Sequence, residues 1–139
     1  MITEAVLTTI IILSSVTGDV ADEQYVEDKC VYDVVEVYDD QLVLTPNLGV
    51  IDGPQCTETY YNLDMTGVLE KMYSLGYEYT YWVRKDGVKM FGDYVMVAAD
   101  LDLFPRGTIV ETSLGPGIVC DTGEFIYENP HQFDIATTW

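Results

Sequence analysis

Apolar and polar residues alternate in short segments along this chain, and Gly, Pro or Asp separates one segment from the next. A period of two is typical of β-strands with one solvated face, and Gly and Pro end such strands. The pattern therefore predicts a mainly β protein in which 41–45 is the hairpin partner of 30–38. The predicted strands are 5–16, 30–38, 41–45, 77–83, 94–99, 108–112, 117–120 and 133–137.

One segment has the spacing of an amphipathic helix. Asp64 can accept the first backbone N–H groups, and Gly76 provides a stop at the C-terminal end. Four apolar residues between them recur on one stripe, as in a helix that packs against a sheet. The stripe consists of Val68, Leu69, Met72 and Leu75. Beyond it, Asp86-Gly87 is a pair favoured in tight hairpin turns.

The N-terminal segment 5–16 has two interpretations. Its length is that of a signal-peptide core, but Met1-Ile-Thr-Glu4 before it carries no positive charge. It is also too short to cross a bilayer comfortably, so no membrane span is expected. Its Ile, Val and Thr content favours a retained β-strand over a cleaved signal.

The charge of the chain limits the classes of molecule that it is expected to bind. With 139 residues, 48% of them hydrophobic, the chain can fold around a core. Acidic residues number 24 against 6 basic ones, which gives a formal net charge of −18. Phosphate contacts need clustered Lys and Arg, so we expect no nucleic-acid partner. Solubility is an equally good explanation of this charge.

Cysteine and histidine offer little for catalysis or metal binding. Cys30 and Cys56 could form a disulfide, but spacing alone cannot establish it. Cys120 is predicted to pack in the core, on the opposite strand face from Asp121. One histidine and no paired-cysteine spacing indicate no zinc site, and no cofactor is expected. We interpret His131 first as a turn residue and alternatively as part of a groove.

Three aspartates lie within short apolar runs near the C-terminus: Asp100 after Val97-Ala-Ala, Asp121 after Ile118-Val-Cys, and Asp134 between Phe and Ile. A carboxylate is costly to bury, so three of them at strand ends suggest one shared polar site. The alternative is that each one caps a turn by accepting backbone N–H bonds.

The segments around these aspartates resemble the three-aspartate ("3D") domain. That domain is found in family A lytic transglycosylases, in stationary-phase survival proteins and, more distantly, in expansins. The resemblance runs from about Thr59 to the C-terminus. It rests on Thr59-Tyr-Tyr61-Asn62, Val97-Ala-Ala-Asp100, Phe104-Pro-Arg-Gly107-Thr108, Asp121-Thr-Gly123 and Phe133-Asp134-Ile135.

The resemblance implies a six-stranded double-psi β-barrel in residues 54–139, which contains the one short helix predicted above. Residues 1–53 lie outside the resemblance, and their alternating pattern predicts a β-rich N-terminal extension. The resemblance also implies an enzyme that cleaves the glycan strands of peptidoglycan and leaves 1,6-anhydromuramyl ends. In that chemistry one carboxylic acid protonates the glycosidic oxygen and then takes the proton of the C6 hydroxyl. Its pKa must therefore be raised, by apolar surroundings or a second carboxylate.

By the same resemblance, Asp134 corresponds to the acid. Asp121 would raise the pKa of Asp134 or orient substrate hydroxyls, and Asp100 would hold a loop by accepting backbone N–H bonds. Thr59 and Tyr61 would line the groove, where Tyr61 would offer an aromatic face to a sugar. Ordinary strand packing is an equal alternative for both.

The chain also departs from the family. The family has Asp-Thr-Gly-Gly-Ala-Ile-Lys-Gly where this chain has Asp121-Thr-Gly-Glu-Phe-Ile-Tyr-Glu-Asn-Pro130. Two functions therefore stay open. The first is a wall-active enzyme, extracellular or in the cell envelope, or associated with a virion. The second is a non-catalytic barrel for wall binding or assembly, with its N-terminal extension contacting protein partners or further copies.

Overall fold

The computed structural model describes residues 42–139 and, before them, only two short strands, β1 (Thr8–Thr9) and β2 (Glu36–Val37). β1 and β2 pair in an antiparallel manner within the first of two units, which ends at residue 40. The remainder of the predicted strands 5–16 and 30–38, together with Cys30, lies outside the described residues.

The described part of the second unit is mainly β, as predicted. It contains one α-helix, α1 (Thr66–Ser74), and a 3-10 turn at Glu124–Tyr127. Among the described residues, no helix has the length and apolarity needed to cross a membrane. The strands are β3 (Ile51–Asp52), β4 (Thr57–Tyr61), β5 (Tyr81–Val83), β6 (Lys89–Phe91), β7 (Tyr94–Ala98), β8 (Ile109–Thr112), β9 (Gly115–Asp121) and β10 (Gln132–Ala136).

These eight strands form one sheet in the order β3-β4-β10-β7-β6-β5, and β7 also pairs with β9, which pairs with β8. Two pairs are parallel, β4 with β10 and β7 with β9, and the others are antiparallel. The last strand, β10, lies between β4 and β7. Its parallel partner β4 is far away in sequence, because parallel strands cannot be joined by a tight hairpin. Over the described residues the sheet is not closed, because its path ends at β3 and β5.

The central strands are buried on both faces, which explains their nearly continuous apolar sequence. In β7, residues 95–98 are at most 2% exposed. A larger core cluster on one face includes Val97, Phe133 and Ile135. A smaller one includes Met96 of β7 and Met72 of α1, so the helix covers the second face.

The helix begins and ends close to the predicted positions. Asp64 accepts hydrogen bonds from the Thr66 N–H at 2.9 Å and from its hydroxyl at 2.6 Å. Gly76 has a φ of 96°, a left-handed conformation that favours glycine after a helix. Met72 is fully buried, but Leu75 follows the last helical residue and is 50% exposed.

The Asp86-Gly87 turn also forms and joins β5 to β6. Gly87 has a φ of 87°, and its N–H donates to the Arg84 carbonyl at 2.9 Å. The Arg84 guanidinium forms an ion pair with Asp86 at 2.8 Å. The local sequence thus specifies this hairpin.

Two predicted strands differ from the structure. The described residues 42–45 form no strand, because the Leu44 N–H donates to the Ser113 hydroxyl at 3.0 Å and the Leu44 side chain is buried in the core. Strand 77–83 is extended only at 81–83. The four residues before it are irregular, and the Tyr79 ring lies against Gly92 there.

Candidate functional site

Four register partners form a row across four neighbouring strands. Asp134 in β10 is opposite Thr59 in β4 and opposite Ala98 in β7, and Ala98 is opposite Asp121 in β9. Directly paired residues project their side chains from the same face of a sheet. The topology therefore brings together Asp134, Asp121 and Thr59, which lie far apart in sequence.

Asp134 is partly buried and has a defined hydrogen-bonding partner. The Thr59 hydroxyl donates to its Oδ1 at 2.9 Å. Burial raises the pKa of Asp134, the hydrogen bond from Thr59 lowers it, and the negative charge of Asp121 raises it further. Burial is the largest of these effects, so the net direction is upward.

Asp121 is held by Tyr61, two residues beyond Thr59 in β4. The Tyr61 hydroxyl donates to Asp121 Oδ2 at 2.9 Å. Burial, followed by the charge of Asp121, raises the pKa of Tyr61 well above its ordinary value, so Tyr61 is a neutral donor. Asp121 Oδ1 also accepts the Thr122 N–H at 2.9 Å. Both oxygens of this carboxylate therefore accept hydrogen bonds.

A β-bulge sets the position of Asp121. The pairing of β7 with β9 shifts between Val97 and Ala98, so that Cys120 is skipped and Asp121 is the partner of Ala98. A bulge breaks the alternation of side chains along a strand. The bulge therefore removes the alternation from which the opposite orientation of Cys120 and Asp121 was expected. As predicted, Cys120 itself is fully buried in the core.

Asp100 is joined to its own loop and not to the other two aspartates. Its Oδ1 accepts the Asp102 N–H at 3.0 Å, and its carbonyl accepts the N–H groups of Leu103 and Phe104. Arg106, later in this loop, donates from Nε to the Cys120 carbonyl at 3.1 Å. Asp100 has the geometry of a loop-holding residue.

The remaining predicted residue, His131, is exposed, and its backbone N–H donates to Asn129 Oδ1 at 3.3 Å. The neighbouring Gln132 makes the contact with the site instead. Its Nε2 donates to the Thr59 hydroxyl oxygen at 2.9 Å. Gln132 precedes Asp134 by two residues in β10, so strand periodicity could have identified it.

The row contains two carboxylates and one hydroxyl group. Within residues 42–139, no three His, Cys, Asp or Glu side chains are grouped as metal ligands would be. An open depression of about 600 Å³ lies elsewhere and is lined by none of the three aspartates. The row is defined by its hydrogen bonds and strand register.

Together, the two carboxylates form an asymmetric pair. Asp121 has both oxygens occupied by donors, whereas Asp134 Oδ2 has no hydrogen-bond partner among the described residues. Asp134 Oδ2 is therefore the carboxylate oxygen of this pair that is available to carry a proton. The chain matches no protein-family model, no curated protein and no solved structure in the comparisons made with each.

Proposed function

We propose that this protein cleaves the glycan strands of peptidoglycan as a lytic transglycosylase, with Asp134 as its single acid and base. The observation that carries the proposal is the position of Asp134, which is partly buried, lies in one register row with Asp121 and accepts a hydrogen bond from the described residues on Oδ1 alone. Burial raises the pKa of Asp134, and the charge of Asp121 raises it further. An acid near the operating pH is needed to protonate a glycosidic oxygen. The resemblance to the three-aspartate domain supplies the substrate class.

The proposed reaction begins with Asp134 protonated. Its Oδ2 proton passes to the glycosidic oxygen as the bond from that oxygen to the muramic acid C1 breaks. The resulting carboxylate takes the proton of the C6 hydroxyl on the same sugar, and the C6 oxygen bonds to C1. This step closes the 1,6-anhydro ring and regenerates the acid without water.

Asp121 and Thr59 have supporting roles in this proposal. Tyr61 and the Thr122 N–H hold the Asp121 carboxylate in position, and its negative charge favours the protonated form of Asp134. It also stabilises positive charge that develops on the sugar ring as the bond breaks. Thr59 fixes the orientation of the Asp134 carboxyl group.

We further propose that the sheet is a variant of the double-psi β-barrel and that the protein acts in the cell envelope. The parallel pairs β4 with β10 and β7 with β9, connected through β7 and β10, support this fold over a simple succession of hairpins.

Purified peptidoglycan incubated with the protein tests the activity. We expect 1,6-anhydromuramyl products, detected by mass spectrometry, from the native protein and none from Asp134→Asn. Asp102→Asn is the matched control, because Asp102 is exposed, and we expect full activity from it. The absence of products from the native protein over a range of pH would overturn the proposal.

A second candidate function, wall binding or assembly without catalysis, is supported by an exposed apolar segment near the start of the second unit. Such groups of exposed apolar side chains are typical of interaction surfaces. The residues concerned are Leu42 at 58%, Val43 at 46%, Leu48 at 49% and Val50 at 60% exposed. Their replacement by Ser would weaken sedimentation with peptidoglycan or self-association if this function holds, while product release would be absent.

A further inference from the structure

An open depression of about 600 Å³ lies between the C-terminal end of α1 and the edge strand β5. Its volume is in the range of small-molecule sites. Aromatic rings provide most of its lining side chains. The lining residues are Tyr73, Tyr77, Glu78, Tyr79, Thr80 and Tyr81.

The rings are held in place by the surrounding structure. Tyr79 packs edge-on against Phe91, with ring centroids 5.4 Å apart, and lies 5.8 Å from Tyr94. A side chain at Gly92 would meet the Tyr79 Cβ at 3.1 Å, so glycine permits this close approach. The Tyr73 hydroxyl donates to the Tyr79 carbonyl at 3.3 Å. A ligand would therefore meet a largely preformed surface, which lowers the entropic cost of binding.

The arrangement of the rings and the local charge both favour a cation. Tyr77 and Tyr79 are tilted by 39°, with centroids 6.5 Å apart, so their faces are not stacked on one another. Glu78 lies in the wall, and none of the described residues that line the depression is basic. The net charge of −18 disfavours any anionic ligand.

We propose that this tyrosine depression binds an organic cation that carries a quaternary ammonium group. Such a group is attracted to the negative faces of aromatic rings within about 6 Å of their centroids. Glu78 adds a carboxylate for the same charge. The site is separate from the aspartate row and does not depend on its activity.

Titration of the full chain with choline, followed by NMR of the tyrosine rings, tests the proposal. The control ligand is 3,3-dimethylbutan-1-ol, which has the shape of choline without its charge. We expect choline to shift the ring signals of the depression and bind at least about three-fold more tightly than the alcohol, as loss of an exposed cation–π contact implies. Equal affinity for both ligands, or no binding of choline, would overturn it.

Variants at two lining positions, each with a matched control, test whether choline binds in the depression. Tyr73→Leu should weaken choline binding about three-fold, and Tyr73→Phe, which keeps the ring but loses the hydrogen bond to the Tyr79 carbonyl, should weaken it less. Glu78→Gln should also weaken it, whereas Glu128→Gln, an exposed change of the same charge outside the depression, should not. Equal losses of choline affinity in both glutamate variants would overturn the proposed site. A shift of the tyrosine ring signals by a neutral disaccharide, with none by choline, would also overturn it.

Discussion

The Thr59 hydroxyl donates a hydrogen bond of 2.9 Å to Asp134 Oδ1 from the directly paired position in the neighbouring strand. Gln132 Nε2 in turn donates to the Thr59 oxygen at 2.9 Å. A hydroxyl has one hydrogen, so the contact from Gln132 to its oxygen leaves that hydrogen for Asp134. These two hydrogen bonds determine that Asp134 Oδ1 accepts the Thr59 hydrogen and that Oδ2 is available to carry a proton.

Removal of this hydrogen bond should raise the pKa of Asp134. The change Thr59→Val keeps the side-chain shape but deletes the donor that favours the charged carboxylate. The measurement is a carbon-13 NMR titration of the aspartate carboxyl groups. Thr138→Val, at an exposed position, is the control. A lower or unchanged pKa of Asp134 in Thr59→Val would show that this hydrogen bond does not favour the charged carboxylate.

Asp121→Asn should lower the pKa of Asp134 in the same titration. The neutral amide removes the negative charge that opposes ionisation of Asp134, while burial of Asp134 stays the same. Asp93→Asn serves as the control because it removes one exposed charge from a chain of net charge −18. Equal shifts from both variants would assign the effect to overall charge and not to the pair.

The stability of the protein should depend on the ionisation of Asp134. A carboxyl group with a raised pKa in the folded state favours folding while protonated, and this contribution is lost as pH rises through the folded pKa. Asp134→Asn cannot ionise. The free energy of unfolding of Asp134→Asn minus that of the native protein should therefore increase as the pH rises from about 3 to about 7.

Urea unfolding at several pH values measures this difference. Glu124→Gln, which removes one exposed charge, is measured in parallel so that the loss of a negative charge from the whole chain can be subtracted. A constant difference for Asp134→Asn after this subtraction would contradict a raised pKa.

Glu58 should be a major determinant of stability although it lies outside the aspartate row. It is fully buried and accepts the Ser113 N–H at 2.8 Å and the Ser113 hydroxyl at 2.6 Å. Glu58→Ala leaves both donors without this acceptor, which should cost roughly 1–3 kcal/mol. Glu111→Ala, exposed in β8, should change the free energy of unfolding by less than about 0.5 kcal/mol. Similar losses in both variants would contradict this role.

Cys120 should resist alkylation in the folded protein. Burial raises the pKa of its thiol to about 12, and no part of the side chain is exposed. Treatment with iodoacetamide at pH 8, followed by peptide mass spectrometry, should label the partly exposed Cys56 first and Cys120 only in urea. Equal labelling rates without urea would show that this part of the core opens readily.

Local patterns predicted the helix, one turn and strands β7 to β10, but they did not identify β3, β4 or β6. Strands 94–99, 108–112, 117–120 and 133–137 correspond to β7 to β10 within two residues at each end, and the helix and the Asp86-Gly87 turn form where expected. Strand periodicity, helix capping and turn chemistry depend on residues close in sequence. The prediction failed at 42–45, where a distant hydroxyl, that of Ser113, binds the backbone instead.

The sequence by itself determined a mainly β chain, its strong acidity and three aspartates in apolar surroundings. Only the tertiary structure decided that Asp121 and Asp134 lie in one register row while Asp100 accepts hydrogen bonds within its own loop. The physical reason is register. Parallel pairing of β10 with β4, and a bulge between β7 and β9, align residues up to 75 positions apart, and neither is encoded in any local pattern.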